Sequence, residues 1–376
     1  MSGSSGRLRD AVDRAAGYML RASVLERLAI ATASTALALL IGVAIVAAAG
    51  YDPVRFIVSL IEGAVGGRSA IARTLRFSTL FILTGVAVAV AFRAGVFNIG
   101  VQGQFVVGGF ATIMSIIWTA PLLPEGAVGG VGLLIVGFVA GAVAGGAYAA
   151  LPGALKAYAD ANVIITTIML NFIATGVVGW LVQNPLRGEG NAAPNTERIP
   201  EYVSFPSIVF DSPGFSVVGL GIALVTVAAI YVIMERSQFG YDMVTSGHQE
   251  SAATYSGVDA ERTVVTTMAL SGVVAGIAGA VFAVMIMGYY TDPSGIATYG
   301  FDAIAVSLLA ANNPIGIVPA GLLFGGLDSA GTHIGIYTDV PVQLIDGVIG
   351  LVILFVAVPE LFRMAAQRTG LGGERR

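Results

Sequence analysis

The stretch Phe92-Arg93-Ala94-Gly95-Val96-Phe97-Asn98-Ile99-Gly100-Val101-Gln102-Gly103-Gln104 decides how this chain is read. Apolar sequence runs on both sides of it, yet it carries three amide side chains and leaves backbone bare at its glycines. Irregular polar backbone persists at membrane depth only where protein buries it or where it lines a water-filled route. The stretch therefore marks a conduit rather than an anchor. Close helix packing explains the glycines, which continue at Gly108 and Gly109. It leaves Asn98, Gln102 and Gln104 in need of partners in a dry medium. We assign these three amides to a translocation path or its gate.

The rest of the chain agrees with a membrane setting. Hydrophobic residues make up 56% and charged residues 11%, with mean hydropathy +0.85, whereas a soluble domain is about a quarter charged. Alternating segments of about ten residues, the mark of a barrel, do not occur. The expected fold is an all-α, polytopic membrane helix bundle of about ten crossings. A net charge of −4 offers no basic face for nucleic acid. With no cysteine, and only His248 and His333 as histidines, the chain has no disulfides, no thiol chemistry and no histidine-based metal cluster. The sole lysine, Lys156, precedes Ala157 and lacks the Gly-x-x-x-x-Gly-Lys-Ser/Thr frame that cradles phosphates. No Ser/His/Asp constellation or nucleophile elbow occurs either. The chain reads as a non-enzyme that binds no cofactor of its own.

Uncharged stretches set the spans. Leu28–Gly50 exceeds the apolar core of a cleaved signal, about 7–15 residues, and reads as a retained first helix. Phe77–Phe92 follows, then a helix within Ala94–Pro124, and others in Gly126–Leu155, Ala161–Leu186, Phe215–Met234 and Thr263–Thr291. Phe301–Leu327 is interrupted by Asn312-Asn313-Pro314, and proline disfavours helix at the residue before it. A short helix before the break and another after it are expected, with Val342–Val358 last. Arginines crowd both tails, so both termini are placed in the cytoplasm. Residues 1–27 and 364–376 are then cytoplasmic tails around a single transmembrane domain, 28–363. That domain has an outer loop at 184–214 and a cytoplasmic loop at 235–262. Trp118, Trp180, Tyr289 and Tyr290 fall at outer ends, as an aromatic belt does. Tyr51–Arg76 reads as an amphipathic helix on the lipid surface.

Further polar residues stand out. In the cytoplasmic loop, Gln249–Tyr255 combines good helix formers and a small-residue face with Gly247 and Gly257 beyond its ends. It predicts a short glycine-capped helix, a knob for a groove on another protein. Asn162 is the expected N-cap of the following span. Asn171 joins the path set, as do Asn312 and Asn313 at the break. Asp302 is expected to cap the short helix, and Asp346 to make an interior hydrogen bond.

Several segments in order carry a family resemblance: Phe92–Gln104, Ala161–Ile173 (ANVIITTIMLNFI), Arg187–Gly190 (RGEG), Gly247–Val258 with Ser271–Gly279 (SGVVAGIAG), Gly300–Gly326 (GFDAIAVSLLAANNPIGIVPAGLLFGG) and Gln343–Ala357. Together they resemble the permease subunits of nucleoside and simple-sugar ABC importers, the ribose-type branch, over about Leu28 to Arg363. Gln102 stands where that family usually has an acid. The resemblance implies a multi-pass permease of the plasma membrane, paired with a second permease that is either another copy or a homologous chain. It implies ABC ATPase subunits that use the ATP, and an extracytoplasmic substrate-binding lipoprotein facing the loop 184–214. Gly247, Glu250, Ser251, Ala252, Ala253, Tyr255, Ser256 and Gly257 then correspond to the coupling helix that docks on the ATPase. Nucleosides are the implied substrates, with simple sugars as the alternative. An ion-coupled secondary transporter is the remaining reading, consistent with broken helices and buried acids.

Overall fold

The computed structural model describes residues 24–355 apart from 191–192, 207, 211–213, 249, 256 and 353. Among them every regular element is helical, and one isolated bridge joins Asn195 to Thr291. Among the described residues seven helices are long and apolar enough to cross a membrane, so the chain is a polytopic helical membrane protein. The structure divides into two units, Ala64–Ser329 and the flanking segments up to Gly63 and from Ala330 onward.

In the Ala64–Ser329 unit, α3 (Arg68–Arg93) is the centre, with 83% of its apolar window buried against 28% for α5, α6 and α7. Those are α5 (Ala127–Ala159), α6 (Val163–Gln183) and α7 (Val217–Arg236). A helix apolar all round belongs inside, and the β-branched and alanine run Gly85–Ala91 has no polar face. α3 begins well before the expected Phe77. Arg76, just before that expected start, lies inside the helix with its guanidinium 4.7 Å over the Phe77 ring, and Arg73 Nε donates to Ser329 Oγ at 3.0 Å. Arg73 thus finds a hydroxyl partner, while Arg76 packs on the ring face with its Nε lacking a hydrogen-bond partner among the described residues.

α4 (Val101–Thr119), α5 and α10 (Ala260–Phe282) pack through glycine. A Cβ on Gly276 would occupy the Gly141 carbonyl, one on Gly279 the Phe105 carbonyl, and one on Gly145 the Gly272 carbonyl. Backbones thus touch where lipid supplies no hydrophobic drive and close van der Waals packing must hold helices together. α10 runs on into a π-helical turn, Ala283–Met287.

The break at Asn312-Asn313-Pro314 is a true turn. α11 (Tyr299–Leu309) has 11 residues, about 16 Å of helix against a hydrocarbon core of about 30 Å. Ala311 and Asn312 then adopt left-handed backbone (φ 50° and 56°), and Ser307 Oγ donates to Asn312 Oδ1 at 2.9 Å. Asn313 Oδ1 accepts the Ile315 N–H at 3.0 Å, and Pro314 opens α12 (Pro314–Tyr337), where its missing donor is not needed. α11 meets α3 through the Phe81–Tyr299 rings and at Val306–Gly85. α12 meets the same helix at Ile317–Gly85, Gly321–Ile82 and Gly325–Ser78, so its numbering runs the other way. The N-cap of α11 is Thr298 rather than the expected Asp302. Asp302 lies in the first turn and accepts Thr298 Oγ1 at 3.2 Å, which still brings a carboxylate to the positive helix end.

In the other unit, α1 (Val24–Ala48), most of α2 (Pro53–Val65), the end of α12 and α13 (Val342–Val352) surround a cluster of Val46, Phe56, Ile334, Val340, Ile345 and Val348. α2 is the expected amphipathic helix. Phe56, Ser59 and Gly63 point inward, while Val54, Ile57, Val58 and Ile61 share an exposed apolar face. Asp346 was expected to bond inside and is instead exposed on α13, because the buried stripe of that helix is Ile345, Val348 and Val352.

Candidate functional site

The glycine-amide run begins where α3 stops. Gly95 takes φ 69°, its N–H reaches Phe92 O at 3.0 Å, and the Val96 N–H reaches Ala91 O at 3.1 Å. This double return is the left-handed helix stop that glycine favours, and the Phe92 and Phe97 rings close over it at 4.7 Å. The chain then turns back into α4.

Here the amides find their partners. Asn98 and Gln104 form a reciprocal amide pair: each Nδ2 or Nε2 donates to the other's side-chain carbonyl at 3.0 Å. Asn98 Nδ2 also donates to Ser271 Oγ at 2.9 Å, and Ser271 Oγ in turn donates to Ala87 O at 2.6 Å. Asn98 Oδ1 additionally accepts the Gly100 N–H at 2.9 Å. Asn171, from α6, clips the same segment twice: Oδ1 accepts the Gly103 N–H at 2.8 Å and Nδ2 donates to Ile99 O at 2.9 Å. Gln102 bridges to α11, accepting the Gly300 N–H at 2.8 Å and donating to Ala297 O at 3.3 Å. All four amides are buried, Asn98 and Gln104 to 0% and 1% exposure. They tie α3, α4, α6, α10 and α11 to one irregular segment, and in low dielectric such a fully paired network is stiff.

The structure thus joins four of the amides expected on a path, Asn98, Gln102, Gln104 and Asn171, into one cluster. Asn312 and Asn313 lie elsewhere, at the α11–α12 turn. Ser271 was missed by sequence reading; its signal was a lone hydroxyl in the small-residue run SGVVAGIAG. Tyr290 was placed in an aromatic belt, but it is fully buried and donates its hydroxyl to Val106 O at 2.8 Å. Trp118 and Trp180 are exposed. Asn162 caps α6, accepting the Ile164 and Ile165 N–H groups at 3.0 and 3.3 Å.

The segment 238–258 is built differently. α8 (Gln238–His248) precedes a short helix, α9 (Glu250–Tyr255). Gly257, at φ 86°, follows α9 with its N–H on Thr254 O. Gly247 was expected to cap this short helix, but it sits in the last turn of α8, where its bare Cα lets α8 touch Ala94. Ala253 is buried and Tyr255 is 95% exposed. Backbone alone places Ser251 and Ala252 in α9, and Ser256 lies outside the described residues.

The connection 184–214 is anchored to the turn after α10. Thr196 and Ile199 donate backbone N–H groups to Tyr290 O and Gly288 O at 2.9 Å, and Gln183 hydrogen-bonds Asp292. The Ser294 N–H, with help from Gln183, holds the Asp292 carboxyl below the usual carboxylate range.

Comparison with known proteins places this architecture. Residues 70–357 match the family described as branched-chain amino acid transport system / permease component. The guanosine ABC transporter permease protein NupP of Bacillus subtilis is 34% identical over 85% of this chain and 90% of its own. The nucleoside ABC transporter permease protein NupB of Lactococcus lactis is 30% identical over 85% and 87%. The glucose ABC transporter permease protein TsgB13 of Haloferax volcanii is 29% identical over 89% and 87%.

Proposed function

Because the chain belongs to the branched-chain amino acid transport system / permease component family, a family of multi-pass plasma-membrane permeases, we propose that it is the membrane-spanning subunit of an ABC importer for nucleosides. The observation that carries the substrate class is the 34% identity to a guanosine permease over nearly the full length of both chains. The glucose permease at 29% supports a simple sugar as the second reading.

The chain does no bond chemistry. ATP is bound and hydrolysed by separate ATPase subunits, on which α9 docks with Tyr255 as its exposed anchor. A second permease, another copy or a homologous chain, completes the path, and a substrate-binding lipoprotein docks on the loop 184–214. Both termini lie in the cytoplasm. ATP binding draws the docked segments together, and the helices exchange outward-open for inward-open packing. Uptake against a gradient requires the two states to differ in substrate affinity. The amide cluster serves the gate by fixing the backbone of the 95–104 segment, with Asn312 and Asn313 shaping the second break.

The test is uptake of radiolabelled guanosine, uridine, ribose and glucose by cells lacking the chain, with and without a restoring copy. Restorable loss of nucleoside uptake alone is expected. Loss of sugar uptake alone moves the chain to the second reading. Unchanged uptake of all four removes the substrate proposal.

A further inference from the structure

Between the coupling segment and the amide cluster stands a contact made of bare backbone. A Cβ on Gly247 would lie 2.5 Å from the Ala94 carbonyl carbon and 2.6 Å from its oxygen; one on Gly95 would lie 2.8 Å from Gly247 O. Two glycines far apart in the sequence thus face each other with no side chain between them. Side chains absorb small displacements by changing rotamer; a glycine pair has nothing to absorb them with.

Both ends of this contact are stiff. On one side, α8 is clamped to α7: Ser237 Oγ donates to Ile233 O at 2.5 Å and accepts the Gly240 N–H at 3.1 Å, and Met243 is fully buried. Arg93 and Glu235 pair beside the contact at 2.6 Å. On the other side, only Val96 and Phe97 separate Gly95 from Asn98, the hub of the amide cluster. At the same surface, Ser246 Oγ, next to Gly247, has no hydrogen-bond partner among the described residues.

We propose that the Gly95–Gly247 contact is the joint through which α8 and α9 drive the amide-bearing segment 95–104, making both glycines positioning residues for transport. The inference rests on the permease reading above. It adds the route by which a push on α9 reaches the membrane interior.

The test uses the whole transporter, purified with the ATPase that accompanies it. Two quantities are read: nucleoside taken up per ATP hydrolysed in proteoliposomes, and hydrogen exchange of residues 95–104 on trapping with ATP and vanadate. In the unsubstituted transporter trapping should change exchange in 95–104 and in 238–258. With Gly247→Ala, the change should stay confined to 238–258 and uptake per ATP should fall at least tenfold. Equal ratios, or an unaltered response at 95–104, overturn the joint. If Gly247→Ala fails to assemble, Glu235→Arg alone should lower the ratio and Arg93→Glu with Glu235→Arg should restore it; no loss, or no rescue, overturns it equally. Exchange needs no substrate, so a transporter that shows the expected exchange but takes up neither nucleoside nor sugar refutes the substrate reading and leaves the joint standing. A chain with which no ATPase purifies refutes both.

Discussion

The segment 95–104 and the segment 238–258 are both glycine-bearing interruptions between helices, and they are built on opposite terms. In the first, every amide is buried and paired, Asn98 and Gln104 with each other and Asn98 and Gln102 also with other elements. In the second, α9 is short, and its largest described side chain, Tyr255, stands almost fully in solvent. The difference teaches that glycine and amide content marks a break in helix without saying what the break is for. Partners differ: the first break has its side-chain amides paired inside the chain, and the second presents an exposed aromatic.

The contrast breaks most directly at Asn98. Asn98→Ala leaves the Gln104 amide and the Gly100 N–H unpaired, and should cost about 3 kcal/mol in detergent unfolding. A double-mutant cycle with Gln104→Ala should show coupling above about 1 kcal/mol; additive losses would mean the pair is not a unit. Next comes the glycine packing. Gly276→Ala drives a methyl into the Gly141 carbonyl and should cost about 1–3 kcal/mol. Gly176→Ala, with open space around it, should be neutral or slightly stabilising by helix propensity. Tyr255→Ala sharpens the other side: unfolding should stay within about 0.5 kcal/mol of the parent, while ATP-driven uptake falls about fivefold or more. A stability loss there would show that Tyr255 packs on its own chain.

The smallest effect is the pH response of the Asp292 anchor. The folded Asp292 carboxyl titrates below its ordinary value, chiefly because it accepts the Ser294 N–H. Its contribution is complete above the unfolded value of about 3.9 and is lost as pH falls through the lower folded one. The group is largely exposed, so the contribution is modest. Opening of the 288–295 loop, followed by hydrogen exchange corrected for intrinsic rate, should be flat from about pH 5 to 8 and rise only below about pH 4.

Much of this was legible in the sequence. Hydropathy located every long helix, the Asn162 cap followed from residue type, and the break at Asn312-Asn313-Pro314 followed from proline. What failed shares one cause. The span was started at Phe77 because Arg68, Arg73 and Arg76 looked too polar to continue it, whereas Arg73 finds Ser329, a partner 256 positions away that only tertiary packing supplies. Tyr290 looked like a belt residue because its acceptor, Val106 O, is 184 positions away. Gly247 looked like a cap because its real neighbour is Ala94. The amides likewise announced a need for partners but not which ones. Local chemistry names the demand, and only the fold names the supply.

The π-helical turn at Ala283–Met287 holds one residue more than an α-helix would in the same rise. Removing a single residue there would restore ordinary winding and swing all that follows by about 100°. Tyr290 would leave Val106, and the backbone pairs that Thr196 and Ile199 make with Tyr290 and Gly288 would fall out of phase. Chain length at this point is therefore as much a part of the protein's specification as any side chain. An insertion or deletion here should be tolerated only when a compensating one appears in the loop 184–214.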